Sequence, residues 1–455
     1  MDLIKQRIGR TVLYKTSKLH EEIGNGELYL KMEGVNPTGR IQDRIAYYLV
    51  KEAFQLGYKT ITVASLGPLG ESLAFISERF NLSCKVVMPE NSIDKKKQWY
   101  KEENVEIIEF GKTYTDAFLK SKELALKNRW YDANHGYDNA SITDSVYSEI
   151  AEEIVAKLGS QPEYLVCFLS NGALITGLHW GFRTLWRSGK IDRIPKMIVT
   201  CVGTDNPIYQ AYSKQSRTVG NTRPLNRYKG ISRNTIEYNI LEPQSVLNAI
   251  YDSGGTIVAV SPDQIKEMMP RVKQAENLKV FFRGAASLSA YERLCQEKFI
   301  KDGSRTVTIL EEGKNLLTVK QLYPDDFDNI DQLAKICKGY LGKYGDGHEG
   351  SVEAIKTAFE GGGFVLGAYI NGKMKGLAVV IKMPVKIVMP QYHLVYVGAD
   401  ISAGSRGIGT RLMEEVRNLT DGEFSLHVDI ENKKAIKLYE KMGLKRAYFR
   451  MIAQK

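Results

Sequence analysis

Residues 31–44 read KMEGVNPTGRIQDR. The run from Gly34 to Arg44 has the form of a catalytic signature with one letter changed, because a frame of Asn36, Pro37, Gly39, Asp43 and Arg44 is kept around Gln42. A lysine amine is a nucleophile, whereas a glutamine amide nitrogen is not. Whether this is a working site or the frame of one depends on the rest of the chain.

The chain has 455 residues, more than the ~250–300 at which single cores stop growing, so two or more domains are expected. Hydrophobic residues make up 43% and charged residues 25%, which supplies large cores and argues against disorder. No apolar run reaches the roughly 18 residues of a membrane span, and the opening MDLIKQRIGR lacks the apolar stretch of a secretory signal; no membrane partner and a cytoplasmic location are expected. Cys84, Cys167, Cys201, Cys295 and Cys337 are odd in number and never spaced Cys-x-x-Cys, which argues against a disulfide framework or a zinc site. The formal charge of +10 is spread along the chain, with Lys95-Lys96-Lys97 as the one compact run, so a solvated face is expected rather than nucleic-acid binding. A basic chain also suits an anionic cofactor.

Through the first three hundred residues short apolar strands (TITVAS, CKVVMP, VEIIEF, YLVCFLS, KMIVTCVG) alternate with amphipathic stretches such as LGESLAFISERF, DKKKQWYKEEN and ALITGLHWGFRTLWRSG. This pattern predicts βαβ units and a largely parallel sheet. After TVTILEEGKN it changes to a helix, DNIDQLAKICKGYL, and a hairpin, FVLGAYINGKMKGLAVVIKM, turning at Asn371-Gly372. A second domain is expected there, giving 1–315 and 316–455.

In HLVYVGADISAGSRGIGTRLMEEVRN an apolar strand through Val397 meets a glycine-rich turn, and a helix starts near Gly409. Free N–H groups at a helix start make a site for an anion such as pyrophosphate, although a plain strand–turn–helix connection also uses glycine. Downstream, FSLHVDIENKKAIKLYEKMGLK reads as a strand, a polar turn at Asn432 and a helix carrying Ala435, Ile436 and Tyr439 near one face. Together these segments resemble the GNAT acetyltransferase superfamily over roughly the last 140 residues. The loop is Gly404-Ser405-Arg406-Gly407-Ile408-Gly409, with Gly404 where the family usually has Arg or Gln and Arg406 near enough to supply the charge. The resemblance implies a mixed α/β domain that uses acetyl-coenzyme A. Backbone around Val397 and Ala399 would hold the pantetheine arm, and amides from Ser405 through Gly407, Ile408 and Gly409 to Thr410 would hold the pyrophosphate. Asn432 would hydrogen-bond the cofactor and Tyr439 would protonate the departing thiolate. By analogy of fold the acceptor would be a small amine, such as an amino acid, and a protein or an aminoglycoside stays open as acceptor. His393, Tyr396, Glu349, His348 and Asp429 are open as candidates for the base, with none assigned.

The first 315 residues resemble fold-type II pyridoxal-phosphate enzymes, the class of threonine synthase and cysteine synthase. The blocks that carry this include LYLKMEGVNPTGRIQDRIA, TVASLGPLGESLA, FLSNGALITGLHWGFRTL and YDSGGTIVAVSPDQI. The implied fold is a two-lobed α/β domain, and a homodimer through it is a further expectation. Where the family has N-P-x-G-S-x-K-D-R, with the lysine that forms the Schiff base, this chain has Gln42. Pro68 replaces an asparagine in the S-x-G-N-x-G loop, Ser170-Asn171-Gly172-Ala173-Leu174 replaces a glycine-rich phosphate cup, and glutamate stands near Leu310-Glu311-Glu312-Gly313 in place of a small hydroxyl or thiol residue. Four altered contacts lead to the expectation of a pseudoenzyme domain without covalent pyridoxal phosphate, serving as scaffold or ligand-binding module. Lys31 and Lys51, the lysines that could replace the anchor, are read as ordinary surface or strand-end residues. An active pyridoxal-phosphate enzyme using an unusual lysine and a non-enzymatic metabolite sensor or partner subunit are the alternatives.

Overall fold

The computed structural model describes residues 3–90, 104–136, 139–220, 242–311, 317–327, 329–370, 373–384, 390–400 and 407–447. Lys95-Lys96-Lys97, most of the helix expected over DKKKQWYKEEN, the Asn371-Gly372 turn, Glu312, Gly313, and Gly404, Ser405 and Arg406 lie outside them. The chain divides into a unit of residues Met1–Asn315 and a unit of Leu316–Lys455.

The first unit begins with β1 (Leu13–Lys15), β2 (Glu27–Met32), β3 (Thr60–Ala64), β4 (Ser83–Met88) and β5 (Val105–Glu109). It continues with β6 (Tyr131–Asp132), β7 (Tyr164–Phe168), β8 (Lys196–Val202), β9 (Thr256–Val260) and β10 (Arg305–Leu310). A six-stranded sheet runs β1-β2-β10-β7-β8-β9, and a four-stranded sheet nested within the chain runs β5-β4-β3-β6. Apart from the antiparallel β1–β2 edge, every pair is parallel. Strands covered on both faces should read as continuous apolar runs, and β7 is buried at all five of its positions.

The helices that place the first unit's polar groups are α1 (Asp43–Gln55), α2 (Pro68–Arg79), α3 (Ala140–Leu158), α4 (Ala173–Arg187) and α5 (Phe282–Gln296). Pro68 is the first residue of α2, where its missing N–H costs nothing and its fixed φ suits a helix. α3 and α4 pack closely because Gly177 and Gly181 carry no side chain: a Cβ on Gly177 would stand 2.5 Å from Tyr147 Cβ, and one on Gly181 2.8 Å from Ser148 Cα.

The second unit is one sheet, β11-β12-β13-β14-β15, made of β11 (Leu317–Leu322), β12 (Phe364–Ile370), β13 (Lys373–Lys382), β14 (Tyr392–Ala399) and β15 (Phe424–Leu426). The first four are antiparallel neighbours, and β15 joins β14 in parallel. The helices α6 (Ile330–Leu341) and α7 (Gly347–Glu360) bury Leu333, Ala334, Cys337, Ile355 and Ala358 against one face with Leu377, Val379 and Tyr396. The helices α8 (Ile408–Leu419) and α9 (Lys433–Lys441) cover the other face, where Ile408, Leu412, Met413 and Val416 meet Leu366, Ala378, Val380 and Leu394.

The strand expected over FSLHVDIEN is shorter than the sequence reading, ending at Leu426. Lys31 corrects a second expectation: it is at a strand end but 1% exposed, and not a surface residue.

Candidate functional site

Lys31 is buried because its charge is answered from elsewhere in the chain. Its Nζ donates to Thr11 O at 2.8 Å and pairs with Glu153 Oε2 at 2.5 Å. Arg44 donates from Nε to Glu33 Oε2 at 2.7 Å and from Nη2 to Glu33 Oε1 at 2.9 Å, while Nη1 meets Glu153 Oε1 at 2.8 Å. Glu149 Oε2, paired with Lys5 Nζ at 3.1 Å, lies 3.7 Å from Arg44 Nη1, so three cations and three carboxylates make up the cluster. Arg44 and Lys31 hold the Glu153 carboxyl far below the usual glutamate range, and the Glu33 carboxyl is held low as well. Asn36 completes the frame, accepting from Gly9 N at 2.9 Å and donating to Glu33 O at 2.8 Å. Lys51, on α1, stands over the Tyr47 ring at 5.7 Å from the centroid. The Lys31 amine is thus committed to Thr11 and Glu153.

Gln42 immediately precedes α1, half-buried, and its Oε1 is buried with no hydrogen-bond partner. Ile41 N donates to Glu311 O at 3.1 Å, which brings the end of β10 beside the signature. Glu311 is 3% exposed and its Oε2 accepts from Arg283 Nη1, on the first turn of α5, at 2.7 Å. At the loop before α2, Ser65 Oγ accepts from Gly67 N at 3.1 Å and Gly70 N at 2.9 Å. At the start of α4, Ala173 N donates to Asn171 Oδ1 at 3.2 Å and Ile175 N to Gly172 O at 3.0 Å, so amides that a phosphate would need are used within the turn. Around residue 42 this donor set offers a pyridoxal aldehyde no amine, and it sets a buried Arg283–Glu311 ion pair beside the signature. These residues do not fit a Schiff-base-held pyridoxal.

The second unit is built differently. β14 pairs with β13 from Tyr392 to Ala399 but with β15 only at Tyr392, His393 and Leu394. The register on β13 slips where Val379 pairs with Tyr396 and Val380 with Leu394, leaving Val395 as an extra residue. Such a bulge bends its strand and increases its twist. Beyond Leu394 the strands fork, and among the described residues the β14 edge from Val395 to Ala399 is not paired on the β15 side. Val397 and Ala399 lie on that open edge. Asp400 Oδ2 pairs with Lys375 Nζ at 2.7 Å, and after residues 401–406, which lie outside the described residues, the chain resumes at Gly407. Gly407 caps α8 with φ +72°, a conformation glycine adopts without strain. The first-turn amides of Ile408, Gly409 and Thr410 precede the helical hydrogen-bond ladder.

Val397, Ala399, Ile408 and Tyr439 gather around one apolar cluster together with Leu438, so the structure brings these four sequence-derived residues to a single face. Two glycines permit this packing. A Cβ on Gly376 would stand 2.4 Å from Ile408 Cγ2, and one on Gly409 would stand 3.0 Å from Leu438 Cδ2. Gly409 thus has a packing role as well as a place in the loop motif. Asn432 caps α9, its Oδ1 accepting from Ala435 N at 3.2 Å, so a cofactor contact would fall to Nδ2. Burial pushes the Tyr439 phenol up to about 12, which keeps it protonated and able to donate.

The five candidate bases separate clearly. Tyr396 donates to Asp346 Oδ2 at 2.7 Å and is pushed up by burial and by that carboxylate, so it holds its proton. His348 Nε2 meets Asp331 Oδ1 at 3.1 Å, Glu349 is exposed on α7, and Asp429 Oδ1 accepts from Glu431 N at 2.8 Å. His393 alone stands at the fork, 9% exposed. Sequence reasoning missed His427, the first residue past β15, although its two-residue spacing from Ser425 puts both on one face of the strand direction. Among the described residues no cluster of His, Cys, Asp or Glu could hold a metal ion, and no helix is long and apolar enough to cross a membrane.

Comparison with known proteins agrees with this division. Residues 4–312 match the family model "Pyridoxal-phosphate dependent enzyme", and residues 327–444 match the acetyltransferase (GNAT) family. The chain is 30% identical over 309 residues to the threonine synthase of Methanocaldococcus jannaschii, covering 66% of this chain and 73% of that one. It is 29% identical over 181 residues to a cysteine synthase of Helicobacter pylori, covering 38% of this chain and 59% of the relative. Among solved structures, a pyridoxal 5'-phosphate-dependent aspartate racemase superimposes with a TM-score of 0.57 at 18% identity, over 69% of this chain and 93% of its own, which is a likeness of fold.

Proposed function

The chain belongs to the pyridoxal-phosphate dependent enzyme family through its first unit and carries a GNAT acetyltransferase domain in its second, and on that premise we propose that it transfers acetyl from acetyl-coenzyme A to a small amine, an amino acid by preference. The first unit, in this reading, is a pseudoenzyme that serves as scaffold or ligand-binding module.

The observation that carries the reading is the fork between β14 and β15 with the α8 N-terminus and Tyr439 on one face. The open backbone at Val397 and Ala399 holds the pantetheine arm as an added strand would be held. The amides at the start of α8 face the pyrophosphate, with Ser405 and Arg406 in the loop before it, and Asn432 Nδ2 donates to the cofactor. The acceptor ammonium loses a proton and its freed lone pair attacks the thioester carbonyl carbon. As the C–S bond breaks, the electron pair stays on sulfur, which takes the Tyr439 proton; the new amide nitrogen gives up its second proton to solvent and the phenol is reprotonated.

In the first unit, Gln42 is taken to stand where the family has its lysine. The buried Oε1 of Gln42 and the Arg283–Glu311 pair support a site that no longer condenses with an aldehyde. Two measurements test the whole proposal. The purified chain with acetyl-coenzyme A and a cell extract should yield an acetylated amine by mass spectrometry, with Tyr439→Phe slower by roughly 10²-fold or more. Titration with pyridoxal phosphate should give no aldimine absorbance. A band fixed by borohydride would favour an active pyridoxal-phosphate enzyme, and cofactor binding without turnover would favour a sensor.

A further inference from the structure

The sheet of the second unit divides cofactor from acceptor. α8 and α9 pack on the face that carries Leu394, Val397 and Ala399, so the pyrophosphate end of the cofactor belongs there. The amine must then reach the thioester through the fork from the face of α6 and α7. On β14, Tyr392 and Leu394 point to the α8 face, which puts His393 between them on the other. On β15, Phe424 and Leu426 point to the α8 face, which puts Ser425, and His427 beyond it, on the same face as His393. Pairing ends at Leu394 and Leu426, so this trio stands at the apex of the fork.

The contacts within the trio are specific. His393 Nδ1 and Ser425 Oγ lie 2.9 Å apart across the paired register. The His393 and His427 rings meet at 4.6 Å between centroids, tilted by 55°. His393 is buried, whereas His427 is exposed. A ring held by a neighbouring strand and set in tilted contact with an outer, solvent-reached ring orients that outer ring. Imidazole is also the side chain whose ordinary titration leaves a neutral, proton-accepting form available at physiological pH.

We infer that His427 is the base that takes the proton from the acceptor ammonium, and that His393, fixed by Ser425, is the residue that positions it. This rests on the acetyl-transfer reading above. One proton passes from the ammonium to the His427 ring nitrogen, directly or through one water, and is later released to solvent; the lone pair it uncovers forms the C–N bond as the C–S bond breaks.

The test uses the full chain with acetyl-coenzyme A and a panel of free amino acids, putrescine and spermidine. His427→Ala should lower kcat by 10²-fold or more while the acetyl-coenzyme A Kd, measured by calorimetry, stays within twofold, and added imidazole should restore at least a tenth of the lost rate. His427→Gln, which fills the same space without a base, should be equally slow. Wild-type turnover that survives both substitutions within threefold, or a loss that imidazole does not restore, overturns the assignment and leaves acetyl transfer standing. Failure of the wild-type chain to bind acetyl-coenzyme A, or to acetylate any amine of the panel, overturns acetyl transfer and this assignment with it.

Discussion

Arg44 and Tyr439 are both polar side chains drawn out of water, yet their surroundings differ. Arg44 gives its donors to Glu33 and Glu153, and the result is a set of paired charges around residues 31–44. Tyr439 is shifted by desolvation and packs on the cluster that holds Val397 and Ala399, whose strand edge is not paired on the β15 side among the described residues. A region whose charges are answered from within holds a fold together and has little to offer a ligand. A region with a desolvated proton donor, first-turn amides outside the helical ladder and an open edge has its capacity still to use. The second arrangement is the one that points to chemistry.

The largest effect that would break this contrast is at Arg44. Arg44→Met leaves Glu33, which is fully buried, without its guanidinium, and should cost about 3–5 kcal/mol in urea unfolding of the first unit. Arg44→Met with Glu33→Leu should recover part of that loss. A change under about 1 kcal/mol in the single variant would mean that the cluster is not what holds the frame.

Next comes pH. Burial pushes the His135 imidazole down to about 4, from the 6.5 of a free histidine. As pH falls below 6.5 the unfolded chain takes up a proton that the folded chain refuses until about 4, so stability declines across that window, by on the order of 3 kcal/mol, and then levels. Glu153 and Glu276 are held below the ordinary glutamate value, so their contribution is complete above it and is lost as pH falls beneath it. Acid unfolding of the first unit should therefore show two limbs, and His135→Asn should remove the upper one alone. An unchanged curve in that variant would remove His135 from the account.

Gly376→Ala tests the packing that sets α8 on the sheet. The new Cβ meets Ile408 Cγ2 at 2.4 Å and should cost about 1–3 kcal/mol in the second unit, leaving the first-unit transition in place.

The smallest effect separates two roles of one residue. Asn432→Ala should cost about 1 kcal/mol through the lost cap of α9. Asn432→Asp keeps a capping oxygen and lacks the amide donor, so it should keep stability and weaken acetyl-coenzyme A binding in the same calorimetric assay. Equal affinity in the Asp variant would make Asn432 a cap alone.

The alternation of strands and helices was legible because it is written in local periodicity: α2, α4 and α8 start within two residues of their sequence expectations. The helix that follows Asn432 was legible in the same way, as α9. What could not be read depends on partners remote in sequence. The burial of Lys31 rests on Glu153, 122 residues later. The pair formed by Glu311 needs Arg283, and the place of His427 became visible only when β15 ended at Leu426 and its ring met His393. The slip at Val395 belongs to the register of two strands and has no signature in either alone.

The side chain of Val395 carries no polar atom, and such a residue would seldom be suspected of deciding whether a cofactor can bind. Its contribution is numerical. Removing it leaves every later residue of β14 on the face it already occupies, since Tyr396 simply follows Leu394 in ordinary alternation, and the core on the α6 and α7 face loses only Val395 itself. What disappears is the odd residue that bends the strand, so β15 can go on pairing past Leu394 and zip the gap shut. The opening on which acetyl transfer would depend is thus a matter of parity: eight residues on one strand measured against seven on its neighbour, from Gly376 to Lys382.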